Sequence, residues 1–130
     1  MSSPHLIEPI DGEEVLWRRL TDPAWIVTNP DGTKRISSAA FKDSTEDRIV
    51  SVHIASLTSL ERVMATPPVC FGIAAILTRH PEQLGHVVRH TPTPEDFSHA
   101  SIIPPAAYGS SRRKRDTKDM AGFATLVEGP

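Results

Sequence analysis

Asn29-Pro30-Asp31-Gly32 is the strongest constraint in this chain, because it turns the backbone back on itself within a few residues. Proline presets its own φ and glycine is free to take a positive one, so the stretch reads as a turn. The run Ala24-Trp25-Ile26-Val27-Thr28 before it and the residues after it, up to Ile36, then form a hairpin over 24–36. Comparable signals cut the rest of the chain into short elements. Val15 to Leu20 reads as a strand, with Val15, Trp17 and Arg19 on one face and Leu16, Arg18 and Leu20 on the other. Ile49 to Ala55 is the clearest strand, with Val50, Val52 and Ile54 sharing a face. Thr58-Ser59-Leu60-Glu61 has the form of a capping box, opening a helix that ends near Ala65 before Pro67-Pro68.

Val69 to His80 does not alternate and holds the good helix formers Ala74, Ala75, Leu77 and Arg79, so a buried helix is expected there. His86 to Thr91 and Ser98 to Ile103 read as short strands, the second closed by Pro104-Pro105. Met120, Phe123, Ala124 and Val127 recur at helical spacing, which predicts a last helix from about Arg113 to Val127. Residues 1–12 are expected to be a flexible lead-in, and a mobile loop is expected near 106–115. The whole predicts one small α+β domain over 13–130, with a mixed or antiparallel sheet of about five short strands and two to three helices.

A chain of 130 residues is long enough for one core, burying roughly two-thirds of its unfolded surface. The formal net charge of −2 gives no electrostatic case for a nucleic-acid protein. The basic run Arg112, Arg113, Lys114, Arg115 leaves that partner open, although Asp116 and Asp119 follow it at once. The single cysteine, Cys70, has no intramolecular disulfide partner, which favours a reducing compartment. The first residues lack the pattern of a secretory leader, and the longest apolar run, Val69 to Leu77, is far short of the ~20 residues that span a bilayer. A cytoplasmic protein without a membrane segment is expected.

Several side chains are candidates for chemistry. Arg18, on the opposite strand face from Arg19, and Arg35, next to the hairpin turn, each have the planar fork that suits a phosphate or carboxylate. Ser37 and Ser38 fit the capping of a short turn through Lys42, with Phe41 as its core anchor, or hydrogen bonding to a ligand. His53 and His99 each fall within an expected strand, where an imidazole either satisfies a backbone carbonyl or transfers protons near neutral pH. No nucleophile elbow surrounds the serines, and no base and acid complete a triad with them. His86 and His90 would lie ~13 Å apart along a strand, too far to share an ion, and no zinc motif is present. The glycines are isolated, so no phosphate-cradling loop is seen. Neither a metal nor another cofactor is expected.

Leu16-Trp17-Arg18-Arg19, Arg35-Ile36-Ser37-Ser38-Ala39-Ala40-Phe41, Ser51-Val52 and Ser98-His99-Ala100 together resemble a family of small, uncharacterised bacterial proteins with no established activity. A weaker similarity is to ADP-ribosyltransferases of the arginine–serine–glutamate type. It implies Arg18 on an early strand and Ser37-Ser38 beside a nicotinamide pocket, but the late catalytic glutamate has no counterpart, and His99 stands where it is wanted. Two functions follow as expectations. The first is a small binding or accessory protein acting with a protein partner in a bacterial defence or toxin system. The alternative is a small nucleotide-processing enzyme of ADP-ribosyltransferase type, with a degenerate site drawn from Arg18, Arg35, Ser37, Ser38, His53 and His99.

Overall fold

The computed structural model describes residues 10–128, so the expectation of a lead-in over 1–12 falls almost wholly outside the described residues. The α+β architecture is as expected, but richer in strands. Strands β1 (Val15–Leu20), β4 (Val50–Ile54), β5 (Gly72–Leu77), β6 (Val87–His90), β7 (His99–Ile103) and β8 (Thr125–Glu128) form one antiparallel sheet. Their spatial order is β6-β7-β4-β1-β5-β8. The hairpin of β2 (Ile26–Thr28) and β3 (Lys34–Ile36) stands apart as its own two-stranded sheet. Gly32 takes a φ of 90° in its turn, as the sequence requires.

Alternation decides which side of the sheet is core. Leu16 and Leu20, Val52 and Ile54, Ala74 and Ile76, and Ala100 and Ile102 all point to one face and are buried there. Helix α3 (Ser110–Phe123) and a 3₁₀ turn at Ser38–Phe41 cover that face through Met120, Ala121, Ala40 and Phe41. On the other face, α1 (Leu60–Ala65) seats Val63 against Cys70 and Ile73, with Trp17 at the rim. That smaller cluster covers only part of the second face.

Several expectations are corrected. Residues 72–77 are strand β5, not a helix: β1 pairs on one side and β8 on the other, and both faces are covered. A strand buried on both faces reads as a continuous apolar run, which resembles a buried helix. The last helix starts at Ser110 and ends at Phe123, after which 125–128 form edge strand β8. Its helical stretch therefore includes 110–115, which had been expected as loop. Val127 lies in β8, and Phe123 is exposed. Short helix α2 (Arg79–Gln83) was not anticipated. The helix over 60–65 is capped by Ser59, whose hydroxyl accepts from the Arg62 N–H, and not by Thr58. No helix among the described residues is long and apolar enough to cross a membrane.

Candidate functional site

A concave surface lies where the hairpin, α3 and β8 meet. It is a groove of about 810 Å³ with Lys34 and Arg35 on one wall and Lys118 on the other. Ile36, Ala121 and Leu126 supply apolar lining. Past Ser38 it gives way to a second hollow of about 420 Å³, bounded by Lys42, Arg113 and Lys114. Ser38 lines both hollows, and neither lining contains an aspartate or glutamate. The placement follows from local structure. Lys114 and Lys118 are one turn apart on α3 and so share a side of the helix. Lys34 and Arg35 are held out by β3, whose Ile36 is buried in the core.

These charges are mostly uncompensated. The Lys34 ammonium donates to the neutral Thr28 hydroxyl at 2.7 Å, and Arg35 donates to the Asn29 side-chain carbonyl at 3.0 Å. Among the described residues, Lys42, Lys114 and Lys118 make no ion pair. Arg113 differs, because its guanidinium is engaged by buried Asp43 at 2.7 Å.

The other candidates are not gathered here. Arg18 points to the core face, where its guanidinium donates to the carbonyls of Ala40 at 2.8 Å and Ser51 at 2.9 Å. It also lies over the Trp25 ring, 5.4 Å from the centroid. Burial, with the charge of Arg19 adding to it, lowers its pKa to about 10, so it remains protonated at neutral pH. It staples the 3₁₀ turn to the sheet. Arg19, on the opposite face, donates to the carbonyls of Val63, Thr66 and Pro68 and so holds the end of α1. The Ser37 hydroxyl accepts from the Ala39 N–H at 3.2 Å, the expected cap. Arg35 and Ser38 thus share the groove, whereas Arg18 and Ser37 serve the turn beside it.

His53 and His99 lie together on the far face of the sheet, directly opposite one another in the β4–β7 pairing. His53 Nδ1 contacts an Asp96 carboxylate oxygen at 2.8 Å, and His99 Nδ1 contacts the Thr91 carbonyl at 2.8 Å. Burial pushes the His53 pKa below its usual value, against the opposing pull of Asp96. Asp96 also accepts from the Ser98 hydroxyl at 2.5 Å, so this serine faces the acid and is buried away from any substrate. The same hydroxyl lies 3.3 Å from His53 Nδ1, with the Asp96 carboxylate as its nearer partner.

Comparison with protein-family models, curated proteins and solved structures finds no match. What the chain does is therefore read from its side chains.

A further polar group was not singled out in the sequence. His86 and Asp116 are only 3 % and 2 % exposed at their side chains and meet at 2.8 Å. Arg112 reaches the same carboxylate at 3.4 Å and donates to the Leu84 carbonyl at 2.7 Å. Tyr108 stands edge-on to His86, and Arg113 lies over its ring at 4.7 Å. The group ties α3 to the neighbourhood of β6 and to Asp43 beside the 3₁₀ turn. His86 is 30 residues from Asp116 and Asp43 is 70 from Arg113, separations that no local motif reveals. Burial, reinforced by Asp116 and Asp43, pushes the Tyr108 phenol up to about 12. Tyr108 is the chain's single tyrosine, so phenolate absorbance near 295 nm reports on it alone. The expected midpoint is close to 12 in the folded protein, falling to about 10 on unfolding. A raised folded pKa also means that stability is lost as pH rises through this window. A folded-state midpoint at the unfolded value would contradict the assigned surroundings.

Proposed function

We propose that this is a non-enzymatic binding protein that docks an extended, acidic and partly apolar segment of a partner protein in the groove between β3, β8 and α3. The observation that carries the reading is the pairing of uncompensated cations Lys34, Arg35 and Lys118 with the apolar lining of Ile36, Ala121 and Leu126. Charge complementarity would set orientation and encounter rate, and the apolar lining would supply burial. Edge strand β8 contributes Thr125 and Leu126 to the lining, so an extended segment would lie beside a strand edge.

A protein segment suits this surface better than a nucleic acid. Neither hollow has an aromatic side chain on which a base would stack. The run 112–115 is also not one patch: Arg112 goes to Asp116, Arg113 to Asp43, and Lys114 lines the smaller hollow. Arg115 is 3.8 Å from Asp116. The alternative, a degenerate nucleotide-processing site, loses support because Arg18 and Ser37 are occupied within the fold and His53 and His99 lie on the other side of the sheet.

The test is fluorescence anisotropy with a labelled peptide of alternating glutamate and leucine. Wild-type protein is expected to bind it saturably, more weakly as salt rises. The triple variant Lys34→Glu/Arg35→Glu/Lys118→Glu should bind on the order of tenfold or more weakly while keeping its circular dichroism, because exposed charges add little to stability. Equal affinity in the variant, or tighter binding of a single-stranded oligonucleotide than of the peptide, would overturn the proposal.

A further inference from the structure

We infer that His53 and His99 form a two-imidazole site for a divalent transition-metal ion of the zinc, copper or nickel kind, on the sheet face away from α3. The backbone pattern makes them neighbours. The Ile54 N–H donates to the Ser98 carbonyl at 2.8 Å, and these two residues are one step along from His53 and His99 in the same register. His53 and His99 are therefore a non-hydrogen-bonded antiparallel pair, the class in which opposed side chains come closest. The His99 backbone carbonyl confirms this by turning the other way, to the Thr91 N–H at 3.0 Å. An absence of metal was expected from spacing along one strand, where a cross-strand pair is not visible.

Both rings are prepared in the same sense. Each has its Nδ1 against an acceptor, the Asp96 carboxylate for His53 and the Thr91 carbonyl for His99. Metal-binding histidines typically donate one ring N–H to a carboxylate or carbonyl, which fixes the tautomer and leaves the other nitrogen for the ion. Here that nitrogen is Nε2 in both cases. The rings are perpendicular, with centroids 6.1 Å apart. An imidazole bound at about 2.0–2.1 Å places its centroid roughly 3.2 Å from the ion, so two arms span up to about 6.4 Å. The pair is within reach, and closing by roughly 1 Å would give a bent, tetrahedral-like angle. Among the described residues, no group of three or more histidine, cysteine or carboxylate ligands gathers, so solvent or an incoming ligand would complete the shell.

Among the described sheet residues, two arginines share this face. Arg19 is turned toward α1 by its three carbonyl partners, and Arg89 is opposite Ser101 on β6. Asp96, held beside His53, offsets their repulsion of an ion. Its role is positioning, since its carboxylate is occupied by His53 and Ser98.

The experiment is titration of the protein with zinc chloride by calorimetry, with nickel chloride as a paramagnetic probe of the histidine ring protons by NMR. One zinc ion per chain is expected, with nickel broadening the His53 and His99 ring signals first among the histidines. His99→Gln should weaken zinc binding at least tenfold, and Asp96→Asn by about 10–100-fold. The nickel experiment uses only wild-type protein and stands if a variant fails to fold. No saturable zinc binding, zinc affinity unchanged in His99→Gln, or nickel broadening centred on other histidines would overturn the proposal.

Discussion

Phe41→Ala is expected to destabilise the protein by about 3–5 kcal/mol, the range for truncating a buried aromatic side chain to a methyl group. Phe41 is 1 % exposed and belongs to the main core with Ala40, Ile36 and Met120. The space it leaves is hard to refill. Its 3₁₀ turn is fixed at one end by the Ser37 cap and against the sheet by Arg18, which donates to the Ala40 carbonyl. A cavity that cannot collapse keeps its full cost. For a domain of this size the loss corresponds to ~10–20 °C in Tm. The same turn carries Ser38 and leads into Lys42, so the groove wall should loosen as well. Phe71, 41 % exposed, is the internal control. Phe71→Ala should cost under ~1 kcal/mol. Urea denaturation of both variants decides the matter, and equal midpoints would contradict the assignment of Phe41 as anchor.

Asp116→Ala comes next, at about 3 kcal/mol or more. Its carboxylate is the shared acceptor for His86 and Arg112 inside α3's packing surface. Removing it strands a buried imidazole and an arginine already committed to the Leu84 carbonyl. The cost lies mainly in those unpaired partners, because a buried polar group without its bond loses solvation and gains nothing. Arg112→Ala should cost less, since the arginine is partly exposed and solvent can replace it. Thermal unfolding of the two variants should rank them in that order. The reverse order would show that the carboxylate is not the hub.

Much of the strand pattern was legible because it depends on nearest neighbours. Alternation marked β1 and β4, a turn motif marked the hairpin, and prolines bounded β7. Where burial is two-sided, local pattern misleads: Gly72-Ile73-Ala74-Ala75-Ile76-Leu77 reads as helix only because both of its faces are covered. The start of α3 was obscured because its inward positions include Asp116 and Thr117, which are polar residues buried through pairing. The groove was half visible. Arg35 and Ser38 stood out from their immediate sequence, whereas Lys118, Ala121 and Leu126 join them only through the docking of α3 and β8. His53 and His99 were each noticed singly, and strand register made them a pair.

The groove between β3, β8 and α3 is proposed to take an acidic, partly apolar segment of a partner protein. Backbone amide chemical shifts recorded while titrating in the glutamate–leucine peptide test it most directly. The expected result is saturable shifts at Lys34, Arg35, Ile36, Lys118, Ala121, Thr125 and Leu126, with the His53 and His99 amides unmoved. Shifts centred on His53 and His99, or none at the groove at saturating peptide, would contradict it.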